Sequence, residues 1–246
     1  MPRYLAGPGP ADPDIVWPFP LEEGWHLHPA HDGMVFASSP CARLWTRFAP
    51  EPESRSKGTW TIGANHIPFG PRTWQITFDA TTPAELLHDV HTELLDLYLE
   101  DRHSDQDHLF DDATAPHEAY APLLTRGWSH TVKTDGTQTF LAPDELGGAC
   151  HRYAINAPQD ATWRAWGGIP NQPHWQACFS YGVPTTLVAA FTASLISTEP
   201  LHRTVQDIPV PTRSALYVAT TTAKQPHSPT SNPPLPPPAP GAGRTR

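Results

Sequence analysis

At 246 residues the chain has room for one large domain or for two of roughly 100 residues each. Three cysteines (Cys41, Cys150, Cys178) leave one over in any pairing, no apolar run could span a membrane, and residues 1–20 lack the apolar core of a signal peptide, so a disulfide scaffold and a membrane protein are excluded and a soluble, reduced, cytoplasmic chain is expected. The formal charge of -9 argues against nucleic acid only on average: twelve Asp/Glu face a single base, Arg102, between Asp79 and Glu118, and the remainder holds thirteen acids against fifteen bases.

Residues 1–23 are rich in Pro and Gly and predict an extended arm whose Trp17 and Phe19 dock on the body. From Gly24 a repeat begins. Thr59-Trp60, Ile67-Pro68, Trp74-Gln75, Phe78, Pro83, Leu86-Leu87 and Leu94-Leu95 recur in order as Thr162-Trp163, Ile169-Pro170, Trp175-Gln176, Phe179, Pro184, Leu187-Val188 and Leu195-Ile196. Such self-similarity marks a duplicated supersecondary unit.

Within the first copy, residues 24–99, Trp25-His26-Leu27-His28 alternates as a strand, Asp32-Gly33 supplies a hairpin turn, and Met34-Val35-Phe36 returns. Ser39 to Trp45 predicts a third strand, Thr59 to Ile62 a fourth and Thr73 to Phe78 a fifth, with period-two alternation. Thr82-Pro83-Ala84-Glu85 predicts a helix start with Thr82 capping and Glu85 completing a capping box, followed by Leu86, Leu87, Val90, Leu94 and Leu95 at helical spacing. Residues 124–199 repeat this pattern from Gly127-Trp128 and Asp135-Gly136 onwards, with Cys150 at a strand position equivalent to that of Cys41. The expected fold class is α+β: two homologous units, each an antiparallel β-meander of about five strands followed by one amphipathic helix, packed as a pseudo-dimer.

Residues 100–123 between the copies read as an acidic linker. Residues 200–223 carry mixed signals, with 215–222 a strand or a short helix, and residues 224–246 form a proline-rich tail of polyproline II character, expected to be disordered.

The opening Pro2-Arg3-Tyr4-Leu5-Ala6-Gly7-Pro8-Gly9, the Gly-Trp strand starts, and the run from Trp60 through Trp74, Phe78 and Thr82-Pro83-Ala84-Glu85-Leu86 resemble the SPDY-type domain of unknown function, over about residues 2–197. The resemblance implies a cytoplasmic actinobacterial protein, often encoded near mobile elements, and no established activity or catalytic residue. The family's Ser-Pro-Asp-Tyr string is incomplete here, as Ser39-Pro40-Cys41 lacks the Asp and Ala142-Pro143-Asp144 lacks the Ser.

No phosphate-binding glycine loop, zinc-protease helix or nucleophile elbow is present, and no catalytic residue and no cofactor is expected. His26, His28, His31 and Asp32 have ligand chemistry, as do Asp105, Asp107, His108, Asp111 and Asp112, but a solvated strand face and a solvated acidic linker account for them, and no metal site is assigned. Trp60, Trp74, Trp163 and Trp175 are expected in the core.

The opposite sheet face offers Arg43, Arg47, Lys57, Arg72, Arg152 and Arg164 with Trp45, Tyr153 and Trp166 interleaved. A basic face carrying aromatics holds single-stranded nucleic acid, with bases stacked and phosphates on Arg and Lys. The leading expectation is a non-catalytic module binding single-stranded DNA or RNA. The tandem sheet-then-helix plan is similar to that of PUR and Whirly single-strand binders, at the level of fold and with one strand more per unit. The alternative is a scaffold for a protein partner that uses the inter-unit groove or the Pro-rich tail.

Overall fold

A computed structural model of the chain describes residues 2–9, 13–51, 54–111, 113–153, 160–204 and 207–215. The arm contains a helical turn, Arg3–Leu5, and the one-turn helix α1, Pro13–Val16. Copy one comprises β1 (His26–Pro29), β2 (Val35–Ser38), β3 (Leu44–Glu51), β4 (Ser54–Asn65), β5 (Arg72–Asp79) and helix α2 (Ala84–Arg102). After α3 (His117–Thr125), copy two repeats the plan as β6 (Ser129–Val132), β7 (Gln138–Leu141), β8 (Gly147–His151), β9 (Ala161–Ile169), β10 (Gln172–Ser180) and α4 (Thr185–Leu195). The fold is α+β with five strands in each copy.

The strands form one antiparallel sheet of ten, ordered β1-β2-β3-β4-β5-β10-β9-β8-β7-β6. The two meanders meet through their last strands, with Ile76 opposite Phe179, Thr77 opposite Cys178 and Phe78 opposite Ala177. Phe78 and Phe179 hold the same place in the repeat, so this register is symmetric about the Thr77–Cys178 pair, and a local two-fold axis passes through it. The pseudo-dimer is therefore a single continuous sheet. Pairing β5 with β10 satisfies the backbone groups that each meander would otherwise present at an edge.

Alternation along the strands sends Trp60, Ile62, Trp74, Ile76 and Phe78 of copy one, and Trp163, Ala165, Trp175, Ala177 and Phe179 of copy two, to the same buried face. Helix α4 covers the seam, its Phe191 ring lying 6.1 Å from Phe78 and 5.2 Å from Phe179 between centroids. Helix α2 lies over β3, where His91 meets Thr46, and α3 sets Tyr120 against Phe140 and Trp163. The equivalent Leu86 and Leu187 are both fully buried. The two core indoles Trp74 and Trp175 each donate to a carbonyl of a segment outside the repeat, Leu109 at 2.8 Å and Tyr4 at 3.3 Å. The arm thus does for copy two what the inter-copy segment does for copy one.

Trp17 meets Trp60 edge-on and Phe19 stacks on Trp25 at 4.0 Å, so the arm docks as expected. Its buried Arg3 bridges the two repeat helices, donating to Asp89 of α2, to Ser194 of α4, and to Glu199 at 2.9 Å.

Several local expectations are corrected. Ser39 to Ala42 is a tight turn, with Ala42 at φ 53°, and the third strand starts at Leu44 and runs on to Glu51. Cys41 therefore lies in a turn while Cys150 lies in β8, and they are not equivalent. Helix α2 starts without a capping box: Pro83 is its N-cap residue, the buried Thr82 hydroxyl finds no partner among the described residues, and the Glu85 carboxylate is taken by Arg203 at 2.8 Å. The segment read as a linker supplies helix α3 and the buried Leu109. Beyond copy two, Val210–Ala215 is a 3-10 helix; the strand or helix anticipated over 215–222 and the tail lie outside the described residues from position 216 onwards.

Candidate nucleic-acid interface

The three helices α2, α3 and α4 and the arm all pack on one face of the sheet, which leaves the residues of opposite parity on a face that no helix among the described residues covers. In copy one this open face carries Trp45 and Arg47 of β3, and in copy two Arg164 and Trp166 of β9. Both indoles are half-buried and both arginines exposed.

Each tryptophan lies across a glycine of the neighbouring strand. Trp45 is opposite Gly63, where an added Cβ would come within 2.3 Å of the indole Cζ2 and 2.4 Å of Cε2. Trp166 is opposite Gly148, where the same two atoms would lie at 2.1 and 2.6 Å. A side chain at either glycine would lift the ring, so glycine is what lets each indole lie low on the sheet. The arrangement is transposed between copies. Counting from the shared Thr-Trp of β4 and β9, Gly63 stands where copy two has Trp166, and Trp45 stands where copy two has Gly148. Arg47 is likewise replaced by Cys150, and its strand neighbour Thr61 by Arg164. Tryptophan and arginine have moved one strand sideways together, two residues apart in both cases.

Around these platforms the copies differ. In copy one an aromatic run crosses three strands: His28 to Phe36 at 6.4 Å, then Phe36 stacked towards Trp45 at 6.2 Å and 19° between planes, with the Arg47 guanidinium 5.9 Å from the Trp45 ring. In copy two a hollow of about 420 Å³ is lined by Trp166, Leu141, Cys150, Arg152, Arg164 and Lys133 among others. Trp45 is level with Gly63 and Gln75, and Trp166 with Gln176, whose N–H donates to Asp79 at 2.9 Å. Four strand spacings of ~4.8 Å and four residues of ~3.4 Å separate the platforms, roughly 23 Å on a flat sheet.

At the seam, burial raises the Asp79 carboxyl above its ordinary range, and burial raises the Cys178 thiol although Arg164 donates towards it. The acids that dominate the net charge sit elsewhere. Glu93, Asp96 and Glu100 lie on α2, where burial and then the two neighbouring carboxylates raise the Glu93 pKa.

Of the residues anticipated for this face, Arg47, Arg164, Trp45 and Trp166 lie on it and Arg152 lines the copy-two hollow. Arg43 is committed elsewhere, one guanidinium nitrogen donating to both carboxylate oxygens of Asp107 at 2.9 and 2.7 Å, with the group held 4.6 Å from the Phe110 ring. Tyr153 does not lie on this face: its hydroxyl is 2.9 Å from that of Tyr120 and its ring 4.4 Å from that of His151, because it stands two residues on from His151 and shares the helix side with it. Arg72 is exposed at the start of β5 beside a register shift, away from both platforms. The Lys57 backbone belongs to β4, and its side chain lies outside the described residues. His26 and His28 sit on β1 with rings 6.0 Å apart, while the His31 side chain is outside the described residues. In the acidic segment Asp107 serves Arg43, and Asp101 accepts from His108 at 2.9 Å; Asp112 is outside the described residues.

Gly63, Gly148, Phe36, Leu141 and Lys133 were not anticipated. The glycines were open to detection, since aligning the copies sets Gly63 against Trp166; the others needed the strand register.

Residues 38–100 and 143–201 both match the family model SPDY, the domain of unknown function DUF317. The chain belongs to this family, as two SPDY domains in tandem. Each matched segment runs from the turn before the third strand, or from just ahead of it, through the closing helix, and together they contain both Trp-over-Gly platforms, Arg47, Arg152 and Arg164. The outer hairpins, with Phe36 only just short of the first segment and Lys133 and Leu141 short of the second, fall outside the match. No curated protein and no solved structure matches the chain, so the likeness to known single-strand binders carries no argument. No helix among the described residues is long and apolar enough to cross a membrane.

Proposed function

We propose that this tandem SPDY protein is a non-catalytic binding module that holds single-stranded DNA or RNA across the open sheet face. The observation that carries this reading is the recurrence, in transposed form, of an indole laid over glycine with an arginine two residues along. A core needs no such pair on the face away from its helices, whereas a strand of nucleic acid uses both parts: bases stack on exposed aromatic rings and phosphates meet guanidinium groups. The concentration of acid on α2 leaves the open face free to be cationic despite the overall charge. The inter-unit groove of the scaffold reading has no place on the open face, because the sheet is continuous across the seam; on the other side Arg3 bridges α2 and α4 beside a hollow of about 430 Å³.

The test is fluorescence anisotropy with labelled oligothymidylates of about 4 to 16 nucleotides, the range of single-strand site sizes, at two salt concentrations. Binding is expected to strengthen once the strand reaches both platforms and to weaken steeply with salt. Absence of saturable binding at low salt would retire the proposal.

A further inference from the structure

The hollow of copy two has a chemistry of its own. Trp166 on Gly148 forms its floor, and Leu141 and Cys150 add apolar wall. Arg164 stands opposite Cys150, and the Arg152 N–H donates to Thr162, two residues before Arg164, at 2.7 Å. The two arginines are therefore diagonal neighbours on adjacent strands of one face, their backbone positions ~7–8 Å apart, with the Arg164 side chain reaching towards Cys178 on the far strand. Two cations lining one hollow attract an anion that enters it. Lys133 closes the rim, part of its field falling on Asp135, whose carboxyl pKa is lowered chiefly by hydrogen bonds from Thr137 and in smaller part by Lys133. The Trp166 indole N–H is shielded from solvent and has no hydrogen-bond partner among the described residues. A volume of about 420 Å³ is that of a site for one small molecule. Copy one has its own hollow of about 560 Å³ beside His28, Phe36 and Trp45, which offers stacking surface but no such pair of arginines among the described residues.

Resting on the strand-binding reading, we infer that the copy-two hollow is a nucleotide subsite: it takes one phosphorylated nucleotide, the base against Trp166 and the phosphate on Arg152 and Arg164. It binds free nucleoside monophosphates as well as a nucleotide of a strand. The two halves of the face then divide the work, copy two gripping phosphate and base together and copy one adding stacking along the strand.

Calorimetric titration of the full chain with uridine monophosphate, uridine and inorganic phosphate tests this, with competition against a labelled oligonucleotide. The monophosphate is expected to bind at least tenfold more tightly than uridine or phosphate alone and to displace the oligonucleotide. Arg152→Ala and Arg164→Ala, both at exposed positions, should each weaken it by about tenfold, while Arg47→Ala should leave it unchanged and weaken only the oligonucleotide. Oligonucleotide binding without competition by the monophosphate overturns the subsite and spares the strand reading. Monophosphate binding without oligonucleotide binding does the reverse. Equal monophosphate affinity in the arginine variants also overturns the subsite, and failure of both ligands overturns both proposals.

Discussion

Replacing Gly148 by Ala separates a functional platform from mere cover for a glycine. The new Cβ would sit 2.1 Å from Trp166 Cζ2, against the ~3.5–4.0 Å at which carbon atoms rest, so the ring must move by about 1.4 Å or more. Gly148 does not have the positive φ that would add backbone strain. On a face without helices the ring is free to tilt towards solvent, so the stability cost falls at the low end of the overpacking range, about 1 kcal/mol. The loss of stacking surface is larger, since a base stacked on an aromatic contributes about 1–3 kcal/mol, which is about fivefold to 150-fold in affinity. Gly63→Ala should act alike through Trp45, where the contact would be 2.3 Å. Gly167→Ala, on the helix side, is the control: its Cβ would meet Trp175 Nε1 at 2.1 Å and the Tyr4 carbonyl at 2.3 Å, with neither able to swing into solvent. That variant should lower the unfolding midpoint far more than Gly148→Ala. Urea denaturation and oligonucleotide anisotropy on the three variants give the comparison. If Gly63→Ala and Gly148→Ala bind as well as the parent while losing stability, the indoles only shield glycines and the interface reasoning fails.

His91 predicts an acid-sensitive fold. It is fully buried and its pKa is lowered from 6.5 to about 4, chiefly by burial, with Nδ1–H donating to the Leu87 carbonyl at 2.7 Å and Nε2 3.0 Å from the Thr46 hydroxyl. Above pH 6.5 it is neutral folded and unfolded alike; below, the unfolded chain gains a proton the fold refuses, so stability falls until pH 4 by about 3 kcal/mol relative to His91→Gln, measured as the difference in urea stability between pH 7 and pH 4. A parent and variant with parallel pH profiles would disprove it. Arg3→Ala, which removes the bridge from the arm to Asp89 and Ser194, should cost about 2–3 kcal/mol by urea midpoint, and Arg3→Lys should recover only part of it, because one ammonium cannot reproduce the guanidinium fork.

What could be read from the chain, and what could not, divides along a physical line. The repeat, the strand count and the burial of Trp60, Trp74, Trp163 and Trp175 follow from period-two alternation, a local property. The open face depends on register, and register is set between strands. Trp45 becomes a platform only because β3 pairs so that Gly63 lies beneath it, and neither residue signals this alone. Arg43 and Tyr153 leave the open face for the same reason, since the groups that claim them, Asp107 and Tyr120, lie 64 and 33 positions away in the chain. The Thr82 cap failed more locally: Pro83 sits in an extended conformation at φ -53° and ψ 130°, which makes it the N-cap and puts Thr82 one residue too early to reach the first free N–H groups. The transposition of the Trp–Gly pair shows why the two-fold register matters beyond architecture. A symmetric duplicate would place Trp45 and its twin at equal distances from the Thr77–Cys178 axis, but the sideways move brings the copy-two indole one strand closer, ~4.8 Å, and leaves the copy-one indole further out. A strand of nucleic acid has a direction, and an asymmetric pair of platforms suits a directional ligand better than a symmetric pair does. Swapping the pair back, with Gly148→Trp combined with Trp166→Gly, would restore the symmetry and should reduce any preference for one strand orientation in oligonucleotides labelled at either end.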